Sequence, residues 1–121
     1  MFSNARILVV DSSAESRDVL CTLLERLGAE TIETTRTRHA SGLVQQTQPN
    51  VVVLDAEDEF APSAEAIADL GRAACRSSTP IVVLGTQKRH LSPLTTGHFV
   101  SKPYQYATLI RRIEEVLGNR A

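Results

Sequence analysis

The 121-residue sequence has no tryptophan, only two cysteines and only two tyrosines and three phenylalanines. Cys21 and Cys75 fall in different predicted helices and form no CxxC or Cys/His cluster, so their spacing supports neither a disulfide nor a zinc site. We therefore expect both to be buried small hydrophobic residues. The scarcity of aromatic rings also disfavours a site that stacks a flavin between them.

Long apolar runs and a strong net charge are missing as well. The first eleven residues lack the pattern of a secretory signal, and no apolar run approaches the ~20 residues that span a bilayer. Thirteen basic and fourteen acidic residues give a formal charge of −1, so no overall field attracts nucleic acid or an anionic membrane. The sequence predicts a cytoplasmic protein that binds neither nucleic acid nor membrane through this domain.

Motifs of nucleotide-dependent and hydrolytic enzymes are missing too. The tripeptide DSS at residues 11–13 stands where a GxGxxG or GxxxxGK loop would follow the first strand. No GxSxG elbow accompanies the histidines, and their spacing suits no metal site. We therefore expect that the protein is not an enzyme. The histidines are His39, His90 and His98.

Three continuous apolar runs that are rich in β-branched residues are present instead. Each is four residues long and shows no polar alternation, which is typical of a strand covered by helices on both faces of a parallel sheet. Segments 30–33 and 98–101 are weaker strand candidates. The three clear runs are Ile7 to Val10, Val51 to Leu54 and Ile81 to Leu84.

Segments with helical periodicity separate these runs. The first has apolar residues on one face from Val19 to Leu27, and Ser12 with Glu15 is predicted to form a capping box at its start. Segments 36–48 and 63–75 and an amphipathic segment that ends at Gly118 are the other predicted helices. This alternation predicts one domain, residues 1–121, with a doubly wound, five-stranded parallel sheet.

Charged residues follow several of the predicted strands. Asp11 and Asp55 end two of the clear runs, and Lys102 follows the last predicted strand. Either aspartate alone is explained by a helix cap or a turn. Ligands of such sheets bind beyond the carboxyl ends of the strands, where two converging carboxylates repel each other unless a cation offsets their charge. The sequence therefore predicts that the three side chains share one pocket.

The segments VVD, VVVLD, PIVVLG and FVSKP at the ends of the first, third, fourth and fifth strands resemble the receiver domains of two-component response regulators. The resemblance covers nearly the whole chain and implies a flavodoxin-like (βα)5 fold with strand order 2-1-3-4-5. It also implies that Asp55 accepts a phosphoryl group and that Lys102 pairs with the acyl phosphate. Mg²⁺ would be held by Asp11, Asp55 and the backbone carbonyl of Glu57, and the bond between Lys102 and Pro103 would be cis.

The sequence departs from the receiver pattern in three places. Ser12 replaces the second acidic residue after the first strand, which should weaken Mg²⁺ binding. Gly85 replaces the Ser or Thr with which receivers bind a phosphoryl oxygen, although Thr86 is adjacent. Phe99 matches the aromatic position that changes on activation in the family. The sixteen residues 86–101 are about five fewer than the family has, or roughly one and a half helical turns. We therefore expect a short or irregular fourth helix.

Three functions remain open. Asp55 and Lys102 favour a phosphoacceptor that switches a protein-interaction surface, with a histidine kinase or phosphotransfer protein upstream and an effector protein downstream. Ser12 and Gly85 favour a pseudo-receiver that binds proteins or forms a homodimer without phosphorylation. A flavodoxin-like cofactor binder is the third alternative, but it lacks a phosphate loop.

Overall fold

Strands and helices alternate along the described part of the chain up to the fourth strand. The structure is a computed structural model that describes residues 2–55, 64–85 and 97–118. No helix in these ranges is long and apolar enough to cross a membrane. The elements are β1 Arg6–Asp11, α1 Ala14–Arg26, β2 Glu30–Thr34, α2 Thr37–Thr47, β3 Val51–Asp55, α3 Ala64–Arg76, β4 Ile81–Gly85, β5 Gly97–Ser101 and α4 Tyr106–Gly118.

The five strands form one parallel sheet in the order β2-β1-β3-β4-β5. This confirms the predicted doubly wound architecture, including the two weaker strand candidates. All residues of β3 and β4 are buried, as expected for apolar runs that are covered on both faces. The predicted short or irregular helix between β4 and β5 falls on residues 86–96, which lie outside the described ranges.

Each face of the sheet has its own hydrophobic core, because successive strand residues point to opposite faces. Ile7, Val9 and Val53 pack with α1 and α4 on one face. Leu8 and Val10 pack with α2 and α3 on the other. The buried helix residues include Leu20, Leu24, Leu109 and Ile113 on the first side and Val44, Ile67 and Leu70 on the second.

The start of α1 differs from the predicted capping box. The N-cap is Ser13, not Ser12, and its hydroxyl accepts a hydrogen bond from the backbone N–H of Ser16 at 3.3 Å. Asp11 still belongs to β1, and its Oδ1 accepts the Ser13 N–H at 2.9 Å. Ser13 itself has an extended backbone, with φ −84° and ψ 113°, so the helix begins after Ser13 rather than after Ser12.

Two residues that the sequence predicts to be buried are exposed. Val19 is 46% exposed, because the buried stripe of α1 is centred on Leu20 and Leu24. Cys75 is exposed because the preceding residue, Ala74, occupies the buried face of α3. Both cysteines are free, in agreement with their spacing. Helical periodicity thus located the buried stripes but not their limits.

The other cysteine is buried as predicted. Cys21 lies on the inner side of α1, and burial raises the pKa of its thiol to about 12. The thiolate, which is the reactive form, is therefore disfavoured at neutral pH. This agrees with a packing role for Cys21.

The packing of α1 on the sheet gives a first testable prediction. Leu24 has no exposed surface, so Leu24→Ala should lower the free energy of unfolding by about 2–5 kcal/mol through lost burial and the remaining cavity. Thr22→Ala, at an exposed position of the same helix, should change it by no more than about 0.5 kcal/mol. Urea denaturation measures both values. Equal effects would show that α1 does not pack through the face described.

Candidate functional site

Asp11 and Asp55 lie side by side at one edge of the sheet. They are the last residues of β1 and β3 and are partners in the register of these neighbouring strands, whose backbones run ~4.8 Å apart. Both residues are almost fully buried, at 2% and 3% exposed. They continue the alternation of Val9 and Val53, so both side chains belong to the sheet face that α1 and α4 cover.

Lys102 joins this pair from the end of β5. Its Nζ lies 2.7 Å from Oδ2 of Asp55, and the lysine side chain is 23% exposed. Its backbone N–H donates to the carbonyl of Gly85 at 2.9 Å, which attaches the residue to the end of β4. The peptide bond between Lys102 and Pro103 is cis, as predicted. The structure thus brings Asp11, Asp55 and Lys102 to the same edge of the sheet.

Ser12 follows directly after the first of the two carboxylates. Its Oγ is buried and has no hydrogen-bond partner among the described residues. A buried hydroxyl that makes no hydrogen bond costs free energy, so a ligand or water that offered it one would be bound more favourably. Ser12 is therefore a polar group whose surroundings suit an additional polar ligand.

The donor set at this edge fits Mg²⁺ in chemical type but is small. Two carboxylates and a hydroxyl are hard oxygen donors of the kind that Mg²⁺ takes. Within the described ranges, however, no group of three or more Asp, Glu, His or Cys side chains is arranged to hold a metal ion. Glu57, whose backbone carbonyl is the third predicted ligand, lies outside those ranges. The charged part of the described site consists of Asp11, Asp55 and Lys102.

The predicted switch positions are only partly described. Gly85 ends β4 beside Ser101 and, as a glycine, contributes no hydroxyl. Phe99 is half-buried and packs against the core on the α2 and α3 side, which is the face opposite the carboxylates. Thr86 lies outside the described residues. The last residue of β4 therefore offers only backbone groups to a ligand.

Arg17 supports the site, although nothing in the sequence singles it out. Its guanidinium donates to the backbone carbonyl of Asp11 at 2.7 Å and pairs with Glu33 at 3.0 Å, and its side chain is only 17% exposed. These contacts tie α1 and β2 to the strand end that carries Asp11. An arginine near the start of a helix is ordinary in sequence, so only its spatial neighbours reveal this role.

Tyr104 is a second residue that sequence patterns missed. Its side chain packs against the core on the α1 and α4 side, and its ring meets that of Tyr106 edge-on, with centroids 5.8 Å apart. Burial raises the pKa of the Tyr104 phenol to about 12, with smaller contributions in the same direction from Tyr106, Asp55 and Asp11. Its position two residues after Lys102 is the one signal in the sequence that points to it.

Comparison with known families gives one match over most of the chain. The model of a family described as flagellar regulatory protein FleQ matches residues 6–116. This range includes every strand of the sheet and the three charged residues that meet at its edge. The match therefore concerns the whole fold rather than a local motif.

Curated relatives and solved structures agree with this match. The chain is 27% identical over 117 residues to the phosphate regulon transcriptional regulatory protein PhoB of Escherichia coli, covering 93% of the chain but 51% of PhoB, so it spans about half the length of this relative. It is 25% identical over 119 residues to protein PilH of Pseudomonas aeruginosa, covering 94% of the chain and 98% of PilH. The receiver domain of a Francisella response regulator has a TM-score of 0.79 at 18% identity, covering 98% of the chain and 100% of that domain, which shows the shared fold.

The contact between Lys102 and Asp55 gives a second testable prediction. Lys102→Met should lower the free energy of unfolding by about 1–3 kcal/mol, because a buried carboxylate loses the ammonium beside it. Combining Lys102→Met with Asp55→Asn should recover part of that loss, since the charge is then removed as well. Urea denaturation of the two single variants and the double variant measures the coupling. Additive single effects would show that the two side chains do not interact energetically.

Proposed function

The chain belongs to the FleQ family and is a receiver domain of the response-regulator type, and we propose that it serves as a phosphoacceptor switch in two-component signalling. The observation that carries this proposal is the 2.7 Å contact between Lys102 and the buried carboxylate of Asp55. A receiver needs a nucleophilic carboxylate and a second acid beside it. It also needs a cationic side chain that pairs with the carboxylate before transfer and with the phosphoryl group afterwards. Asp55, Lys102 and Asp11 supply these three groups.

The proposed reaction is transfer of a phosphoryl group to Asp55. One carboxylate oxygen of Asp55 attacks phosphorus, the new O–P bond replaces the bond to the donor, and the bonding electrons leave with the donor atom. For a histidine kinase or phosphotransfer protein, that atom is a histidine nitrogen. Phosphoryl transfer depends mainly on positioning and charge stabilisation, both of which this pocket can provide.

The side chains of the pocket have separate roles in this proposal. Lys102, which neutralises Asp55 before transfer, pairs with a phosphoryl oxygen afterwards. Asp11 and Asp55 would hold Mg²⁺, together with the predicted carbonyl of Glu57. When bound, the metal neutralises charge on the phosphoryl oxygens. Because Gly85 offers only backbone groups, Lys102 would be the main side chain that responds to the phosphoryl group.

A pseudo-receiver is the second candidate function, and two residues favour it. Ser12 leaves the site one carboxylate short of the receiver pattern, and Gly85 lacks the hydroxyl with which receivers bind the phosphoryl group. Such a domain would bind proteins without being phosphorylated. Both candidates share the fold and the pocket and differ in whether Asp55 reacts.

The wider biological setting belongs to the same proposal. We infer that residues 1–121 act as one signalling domain in the cytoplasm, without enzymatic activity toward a separate substrate. The upstream partner is a histidine kinase or phosphotransfer protein, and the downstream partner is an effector protein. Since the chain spans about half of PhoB, the activity of that longer relative is not carried over to it.

Reaction with a small phosphodonor tests the phosphoacceptor proposal. Incubation with acetyl phosphate and Mg²⁺ should add the mass of one phosphoryl group to the wild type and none to Asp55→Asn. Intact-mass spectrometry makes the measurement, and chelation of Mg²⁺ should suppress the gain. A wild type that gains no mass in the presence of Mg²⁺ would support the pseudo-receiver instead.

The missing carboxylate gives a further testable prediction. Ser12→Asp should tighten Mg²⁺ binding by about tenfold or more, because it adds a charged oxygen ligand next to Asp11. Ser13→Asp is the matched control, since it adds the same charge one residue away while an aspartate can still cap α1. Calorimetric titration with Mg²⁺ measures both affinities. An equal gain in the two variants would indicate general electrostatic attraction rather than a ligand at position 12.

A further inference from the structure

The hydroxyl of Ser12 is shielded from solvent without making a hydrogen bond. The residue as a whole is half-buried, but its Oγ is buried and has no partner among the described residues. Of the buried side-chain polar atoms in these ranges, it is the one in this state. Native proteins rarely leave such a group unpaired, because the loss of its bonds to water is then not compensated. The position therefore suits a hydrogen bond that a bound group completes.

Ser12 lies at the same strand ends as the two carboxylates. It follows Asp11 directly, so the two Cα atoms are about 3.8 Å apart, and Asp11 is the register partner of Asp55 on the neighbouring strand. Neither carboxylate accepts a hydrogen bond from the Ser12 hydroxyl. A group bound at Asp55 must therefore extend beyond the carboxylate oxygens to reach it.

The surroundings of Ser12 hold more hydrogen-bond acceptors than donors. Asp11 and Asp55 contribute carboxylates, whereas Lys102 contributes an ammonium. Gly85, at the end of β4, has no side-chain donor. An anion bound at Asp55 therefore needs donors besides Lys102. A serine hydroxyl can donate one hydrogen bond, and that of Ser12 is not committed to any described residue.

We propose that Ser12 donates a hydrogen bond to a phosphoryl oxygen on Asp55, and so supplies from the end of β1 the hydroxyl that Gly85 lacks. A phosphoryl group adds a phosphorus atom and three oxygens beyond the carboxylate, which is the extension that the unpaired hydroxyl requires. An acidic residue at position 12 could not take this role, because its carboxylate repels phosphoryl oxygens unless a cation lies between them. The replacement that removes a charge from the pocket thus adds a donor.

This inference rests on the proposed phosphoacceptor function, because it concerns a group bound to Asp55. It also makes a distinct statement about the free chain, in which the Ser12 hydroxyl is unpaired. Removal of the hydroxyl should therefore leave the free chain as stable as before or more stable, while it weakens the state that carries a phosphoryl group. A serine whose hydroxyl had a purely structural role would instead destabilise the free chain when it is replaced.

Binding of beryllofluoride, BeF₃⁻, tests the inference, because this ion coordinates an aspartate oxygen and has the tetrahedral shape of a phosphoryl group. Calorimetric titration of the full chain at saturating Mg²⁺ should show that Ser12→Ala binds BeF₃⁻ about tenfold or more weakly than the wild type, the loss expected for a hydrogen bond to a charged acceptor. Ser12→Thr, which keeps the hydroxyl, should bind with an affinity close to that of the wild type. Ser41→Ala, which removes a hydroxyl from a half-buried position of α2, is the matched control and should bind as the wild type does.

Three further measurements separate a direct hydrogen bond from a general effect. A ¹⁹F resonance of the bound BeF₃⁻ should shift in Ser12→Ala but not in Ser41→Ala. Urea denaturation without BeF₃⁻ should give Ser12→Ala a midpoint no lower than that of the wild type. Titration with Mg²⁺ alone should give the two proteins the same affinity, because the proposed bond is to the phosphoryl group and not to the metal.

The possible failures have different meanings. An unchanged BeF₃⁻ affinity or ¹⁹F spectrum in Ser12→Ala would overturn the inference and leave the phosphoacceptor proposal standing. A lower urea midpoint or a matching loss of Mg²⁺ affinity would also overturn it, since the hydroxyl would then act in the free chain or through the metal. A wild type that binds no BeF₃⁻ and gains no mass from acetyl phosphate would reject both proposals.

Discussion

The burial of two carboxylates side by side is the constraint on which this site depends. Asp11 and Asp55 are adjacent in register and almost fully buried, and like charges in such surroundings repel each other strongly. The ammonium of Lys102, 2.7 Å from Asp55, offsets this repulsion. Lys102 follows the edge strand β5, so charge balance at the first and third strands requires the last strand to be in its place. The charge balance of the pocket therefore depends on β1, β3 and β5 together.

The segment 102–106 connects this pocket with the surface of α4. Lys102 pairs with Asp55, Tyr104 packs against the core, and Tyr106 meets Tyr104 edge-on at the start of α4. Arg17 connects α1 to the pocket in a similar way. Its guanidinium binds the backbone carbonyl at the end of β1 and the carboxylate of Glu33 on β2. Residues of α1 and of the segment after β5 thus both contact the strand ends that carry the two carboxylates.

Sequence patterns predicted the parts of the structure that depend on local or repeated features. Continuous apolar runs indicated β1, β3 and β4. The charged residues at the ends of strands predicted which side chains meet in the pocket. The predicted start of α1 was wrong, because the Asp11 side chain accepts the Ser13 N–H and Ser13 becomes the N-cap. The predicted burial of Val19 and Cys75 was wrong, because helical periodicity indicates which side of a helix is buried but not how wide the buried stripe is. The contacts of Arg17 could not be predicted, because they depend on which elements become neighbours in the fold.

Compared with the receiver pattern, Ser12 in place of an acidic residue changes the net charge of the pocket. Two carboxylates and one ammonium leave one net negative charge at this edge, whereas a third carboxylate would leave two. The attraction for a divalent cation is correspondingly weaker, and the share of Lys102 in neutralising Asp55 is larger. With Gly85 offering no hydroxyl, a phosphoryl group on Asp55 would find its strongest described partner in Lys102. Lys102 is therefore the described side chain whose surroundings change most directly with the charge of Asp55.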